Sequence, residues 1–133
     1  MIEWDNKREW LEKLPHKSQV RFAVFCVKQV SPTIKHTEYY ADLIKEIERW
    51  IEVDFSLEDL DDTRLANDLE SAVICAYFTA YYEDNSVDYA MDAASFATHI
   101  GSLKQKQVEY LRELYLETLP EEQRDSWLVQ ACL

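Results

Sequence analysis

The sequence predicts an all-α fold: one domain, residues 1–133, of about six to seven helices around a central apolar helix at about 63–83. Glycine occurs once and proline three times in 133 residues, whereas β-rich chains need glycine at many positive-φ turns. Hydrophobic residues make up 47% of the chain, which is enough to fill one core without disulfides or a metal. Apolar residues also recur every three or four positions nearly throughout, which is the spacing of a buried helical face.

Periodicity and capping residues predict three helices in the first part of the chain, at about 6–14, 15–30 and 38–52. The first helix should end before Pro15, because proline disfavours helical geometry in the residue that precedes it. Pro15 itself suits the first turn of the second helix. The third helix has the cleanest amphipathic pattern of the three. The predicted inward faces of these helices are Trp10, Leu11 and Leu14; Val20, Phe22, Ala23, Val24, Cys26, Val27 and Val30; and Tyr40, Leu43, Ile44, Ile47, Trp50 and Ile51.

Four more helices are predicted, at about 63–83, 86–100, 102–117 and from Pro120 onward. The fourth is apolar nearly all round over residues 72–82, as expected for a helix enclosed by its neighbours. Ser86 is predicted to cap the fifth helix, and Gly101 to end it. The predicted inward residues of the fifth and sixth helices are Ala90, Ala93, Ala94 and Ala97, and Val108, Leu111, Leu114 and Tyr115.

The charge is concentrated in the middle of the chain. The net charge is −12, and residues 38–92 alone carry 16 acidic and three basic side chains. Such a field repels phosphate backbones and anionic membranes and attracts cationic partners. We therefore expect a basic protein partner, with no direct binding of nucleic acid or membrane. The absence of a signal-peptide pattern and of an apolar run of about 20 residues predicts a cytoplasmic protein.

The sequence offers no evident catalytic, cofactor or metal site, so a non-enzymatic role is expected. His16, His36 and His99 lack the spacing that places two ligands on one helical face. Cys26, Cys75 and Cys132 show no Cys-x-x-Cys pair, and the first two lie in apolar runs typical of core thiols. A single glycine cannot form a glycine-rich phosphate loop.

Two stretches are candidate partner-binding surfaces. We call the first the acidic segment, which consists of Asp54, Glu58, Asp59, Asp61 and Asp62. This segment could be a solvated loop, a divalent-ion site or a partner surface, although its spacing is not that of an EF-hand.

We call the second stretch the tyrosine–acid corner, which consists of Tyr81, Tyr82, Glu83, Asp84, Asp88 and Tyr89. Tyrosine provides contact area at low entropic cost, and acids steer basic partners. Tyr77 and Phe78 are predicted to be core residues, whereas Tyr81, Tyr82 and Tyr89 could be core or surface.

The stretch from Trp10 to Val30, the helix from Ile44 to Ile51 and the alanine-bearing helices that follow resemble a family of all-helical immunity proteins. Members of that family are associated with bacterial polymorphic toxin systems. The likeness covers roughly residues 8–100 and consists of core and capping residues. It implies a helical bundle with a binding role.

Three functions are consistent with the sequence. The first is an acidic, immunity-type inhibitor of a cationic target such as a toxin nuclease. The second is a phage-encoded DNA mimic that blocks a nucleic-acid-guided nuclease, in the manner of an anti-CRISPR protein. The third is a structural protein that self-assembles through exposed aromatic residues. The oligomeric state is left open.

Overall fold

The computed structural model describes residues 2–30, 38–53, 56–58, 68–100 and 103–119, and every regular element within these ranges is helical. The prediction of an all-α fold is therefore confirmed. The helix predicted from Pro120 onward lies outside the described residues. The described residues form six α-helices, α1 Lys7–Leu11, α2 His16–Val30, α3 Glu38–Glu52, α4 Asp68–Tyr81, α5 Ser86–Ile100 and α6 Lys104–Thr118, with 3-10 turns at Trp4–Asn6 and Glu83–Asn85.

Helix boundaries agree with the prediction to within a few residues. The bounds of α3 and α5 are confirmed, and α6 begins at Lys104, two residues later than predicted. The first helix was predicted to reach Leu14, but α1 ends at Leu11. After Glu12 the hydrogen bonds join residues three apart rather than four apart, as when the Leu14 amide donates to the Leu11 carbonyl at 3.1 Å.

The fourth predicted helix ends at Tyr81 rather than at residue 83. Tyr82 has an extended backbone (φ −103°, ψ 91°), and the 3-10 turn begins directly after it. Residues 63–67 of the predicted helix lie outside the described residues. Ser86 was predicted to cap α5, but its own backbone is already helical (φ −60°, ψ −38°) and its hydroxyl donates to Gln19.

Two long helices share the centre of the bundle. α2 packs against α3, α4, α5 and α6, and α4 packs against α2, α3 and α5. α4 and α5 pack against each other, and both helices bury alanines, whose small side chain allows backbones to approach closely. The alanines of these two helices that are at least 95% buried are Ala72, Ala76, Ala80, Ala90, Ala93, Ala94 and Ala97.

The predicted inward faces of α2 and α6 are buried in full. On α3, Tyr40, Leu43, Ile44 and Ile47 are buried, whereas Trp50 and Ile51 pack against the core while partly exposed. Each fully buried large aliphatic side chain contributes roughly 1.5–3 kcal/mol to folding. Within the described ranges, each helix is too short or too polar to cross a membrane.

Candidate protein-binding surface

The tyrosine–acid corner lies where α4 turns into α5. The apolar sequence of α4 gives way to Glu83, Asp84 and Asn85, which form the 3-10 turn between the two helices. The Tyr82 amide still donates to the Phe78 carbonyl at 2.8 Å, and the Asn85 amide donates to the Tyr82 carbonyl at 3.3 Å. The reversal is therefore short and hydrogen-bonded on both sides.

The corner gathers an aromatic cluster over Phe78. The Phe78 ring centroid lies 5.4 Å from that of Tyr82 and 5.2 Å from that of Tyr89. Tyr81 contacts Tyr82 edge-on at 4.7 Å, and the rings of Tyr82 and Tyr89 lie 28° from parallel at 5.8 Å. These separations fall within the range of favourable aromatic pairs.

Exposure in this cluster rises from Phe78 to Tyr82. Tyr77 is a core residue with 2% exposure, as predicted, whereas Phe78, also predicted to be core, is only partly buried against it. Tyr81 and Tyr89 are half-buried. Tyr82 is 36% exposed and is one of three large apolar side chains that stay exposed within the described residues.

Three acidic residues adjoin the tyrosines of the cluster in the chain. Glu83, Asp84 and Asp88 are all exposed. Arg8 of α1 donates from Nη2 to Oδ1 of Asp88 and lies 3.7 Å from the Glu12 carboxylate. Arg8 is 80 residues from Asp88 in the chain, so no sequence spacing could have indicated the pair.

Hydrogen bonds from α2 fix both helices of the corner. Nε2 of His16 lies 2.7 Å from the Thr79 carbonyl on α4. Because a carbonyl can only accept, His16 donates from this nitrogen. Gln19 donates to the carbonyls of Leu11 (2.7 Å) and Leu14 (3.1 Å) and accepts a hydrogen bond from the Ser86 hydroxyl. The aromatic cluster is thus held on a preorganised support, which lowers the entropic cost of binding.

Glu58 is the member of the acidic segment that the described residues include. It is exposed, and its backbone carbonyl accepts a 2.7 Å hydrogen bond from the Tyr77 hydroxyl. Burial raises the pKa of Tyr77 to about 12. This bond links Glu58 to α4, the helix that leads into the corner. The other four predicted residues, Asp54, Asp59, Asp61 and Asp62, lie outside the described residues.

The described cysteines are poor nucleophiles. Cys26 is fully buried, and burial raises the pKa of its thiol. Burial, together with the charge of Asp92, raises the pKa of Cys75 to about 12. Both thiols therefore stay protonated at neutral pH, whereas nucleophilic attack requires the thiolate.

No three histidine, cysteine or acidic side chains are grouped to hold a metal ion among the residues that the structure describes. Most of the acidic segment is outside those residues. Cys132 is also outside them.

A second concave surface, which the sequence did not indicate, lies on α2 between α3 and α6. It has a volume of about 390 Å³ and is walled by the Phe25 and Tyr110 rings, stacked at 4.1 Å and 10°. Lys28 pairs across it with Glu48 at 3.1 Å. Phe25 was not assigned to the core of α2, and its stacking partner is on a helix far along the chain, so no sequence pattern indicated this groove.

Comparison with protein-family models, curated proteins and solved structures finds no match to this chain.

Proposed function

We propose that this chain is a non-enzymatic, immunity-type inhibitor that occludes a cationic protein through the tyrosine–acid corner. The observation that carries the proposal is the aromatic cluster around Tyr82, exposed at the surface and bordered by three exposed carboxylates. Tyrosines of this kind are enriched among the residues that dominate interface energy. Carboxylates around them accelerate encounter with a basic surface.

Several further features support binding rather than catalysis. The described thiols are protonated, and His16 is engaged by the Thr79 carbonyl. Hydrogen bonds from α2 hold both helices of the corner in place, so little rearrangement is needed on binding. The net charge of −12 favours a basic target such as a nuclease with a cationic substrate channel.

The test is co-expression with the products of neighbouring reading frames, followed by purification of any complex and a growth-rescue assay against a toxic product. We expect the wild-type chain to co-purify with one basic product and restore growth. Tyr82→Ser combined with Asp84→Asn should lose both effects, because truncating a central interface tyrosine typically costs 2 kcal/mol or more.

The matched control removes two charges elsewhere on the surface. Glu109→Gln combined with Glu113→Gln neutralises two exposed acids of α6 and should retain binding. Full activity of the Tyr82/Asp84 variant would refute the proposal, as would a bound partner of acidic isoelectric point.

A DNA-mimic inhibitor of a nucleic-acid-guided nuclease is the second candidate. The observation that favours it is the run of exposed carboxylates at Glu83, Asp84 and Asp88. A mimic of this kind must compete with the DNA target for the effector complex. Cleavage that is unaffected by excess protein would exclude this candidate.

Self-assembly is a third proposal, and its supporting observation is the exposure of Tyr39 (38%), Val53 (50%) and Tyr82 (36%). Sedimentation over a concentration series tests it. A strict monomer at high concentration would exclude it.

A further inference from the structure

Arg8 is a basic side chain that contacts one acid of the corner, Asp88. It reaches from α1 to the first turn of α5, where it donates to Asp88, and it also lies 3.7 Å from Glu12, four residues after it in the chain. The hydrogen bond to Asp88 raises the pKa of Arg8. Arg8 also acts on Asp92, whose pKa is raised by partial burial and by Asp88 and lowered by Arg8.

The pair between Arg8 and Asp88 is exposed to solvent. The two side chains are 49% and 58% exposed. An ion pair of this kind contributes little to folding, because water and salt screen it and two side chains must be ordered to form it. Breaking it therefore costs little, and Asp88 can change partners without disturbing the bundle.

We propose that Arg8 occupies, in the free chain, the carboxylate site that an arginine of the partner takes in the complex. The inference rests on the proposed function and specifies its partner chemistry as an arginine-bearing basic surface. Arg8 is then an internal competitor that lowers the affinity of the corner until a partner displaces it.

The geometry favours a guanidinium over an ammonium ion. Arg8 uses two different nitrogens, Nη2 toward Asp88 and Nη1 toward Glu12, so one planar group spans two carboxylates. Lysine, with a single compact charge, cannot do this in the same way. Tyr89 follows Asp88 directly in the chain and stacks with the exposed ring of Tyr82, and a guanidinium binds aromatic rings better than an ammonium ion does.

The experiment measures binding of fluorescent nona-arginine and nona-lysine peptides to the full chain by anisotropy, at low and at physiological salt. Arg8→Gln should tighten binding of nona-arginine about two- to fivefold, the factor that an exposed ion pair supplies. Arg8→Lys keeps the net charge and should also tighten it, by less, because an ammonium competes less well. Wild-type chain should prefer nona-arginine.

Lys45→Gln is the matched control, since it removes the same charge from an exposed position on α3. It should change affinity less than twofold at physiological salt, where charges more than about 8 Å apart are largely screened. Asp88→Asn should abolish the gain, so that Arg8→Gln combined with Asp88→Asn binds no better than Asp88→Asn alone. Far-UV circular dichroism verifies that each variant keeps its helical content.

The outcomes separate this inference from the proposed function. If Tyr82→Ser weakens peptide binding but Arg8→Gln behaves like Lys45→Gln, the corner is the binding surface and Arg8 is not a competitor. Weaker binding by Arg8→Gln would likewise overturn the inference, since it would mean that Arg8 positions Asp88 for the ligand. No binding of nona-arginine by the wild-type chain would overturn this inference alone, whereas no effect of Tyr82→Ser on co-purification with the basic product would overturn the proposed function.

Discussion

Gln19 is a single side chain that joins three helices, and its replacement by leucine tests how the corner is supported. The side chain is 6% exposed, and its amide connects the end of α1 to the start of α5 through Leu11, Leu14 and Ser86. Ser86 is itself only 3% exposed. Leucine has a similar volume but can neither donate to the two carbonyls nor accept from the hydroxyl.

The expected loss follows from these three hydrogen bonds. Each contributes about 1 kcal/mol net, and a buried partner left without a hydrogen bond can cost more. Leucine recovers part of this through apolar burial, so we expect Gln19→Leu to lower the free energy of unfolding by about 2–4 kcal/mol. Domains of this size have a total of about 5–15 kcal/mol, so the melting temperature should fall by roughly 10 °C.

Urea unfolding followed by far-UV circular dichroism measures this change, with an unaltered m-value required for a two-state comparison. Gln105→Leu is the matched control, because Gln105 is exposed on α6 and donates only to Glu109 at 3.5 Å. It should change stability by at most about 0.5 kcal/mol. A loss below 1 kcal/mol for Gln19→Leu would refute the role assigned to the network.

Three further predictions concern titration, reactivity and charge. The folded-state pKa of Tyr77 is about 12, above the ordinary tyrosine pKa of about 10. The protonated hydroxyl therefore stabilises the folded chain below pH 10, and this stabilisation is lost as the pH rises through the folded-state pKa. Tyr77→Phe should remove that loss of stability between pH 10 and 12. Urea midpoints at pH 9 and 11 measure the difference, and parallel pH dependence in both proteins would contradict it. In the native state, a disulfide reagent should modify Cys75 faster than Cys26, because Cys75 is partly exposed and Cys26 is fully buried; equal rates would contradict the burial. Four acids of the acidic segment can be neutralised together by Glu58→Gln, Asp59→Asn, Asp61→Asn and Asp62→Asn. This change should slow association with a basic partner and flatten its salt dependence without lowering helical content. An unchanged association rate and salt slope would identify the segment as a solvated loop.

Helix positions were predictable where a strong local pattern coincides with packing. α3 carries apolar residues every three to four positions, and its predicted bounds equal those observed. The alanine face of α5 was likewise recognised and is buried. In such segments, the periodicity that makes a helix amphipathic also determines which side chains enter the core.

Side-chain contacts between distant segments were not predictable. α1 ends earlier than expected where Gln19 binds the carbonyls of Leu11 and Leu14, which lie eight and five residues before it. Serine is a residue type that often caps helices, yet the Ser86 hydroxyl donates a hydrogen bond to Gln19. Local preference could not reveal either arrangement, because each depends on how α2 packs in three dimensions.

The same limit applied to the candidate surface. The composition of the corner was visible in the sequence, since Tyr81 to Asp84 are consecutive. The convergence of Tyr82 and Tyr89 over Phe78 required the turn between α4 and α5. Arg8 was visible only as a base in the N-terminal region, and its position on Asp88 depends on the packing of α1 against α5.

The carboxylates and the aromatic rings of the corner should act on different steps of binding. Glu83, Asp84 and Asp88 are exposed, and charges at the rim of an interface act mainly on the rate of association. Tyr82 is 36% exposed beside the half-buried Tyr89, and changes in contact area act mainly on the rate of dissociation. If the corner binds a basic protein as proposed, charge sets the rate of association while the tyrosines set the lifetime of the complex.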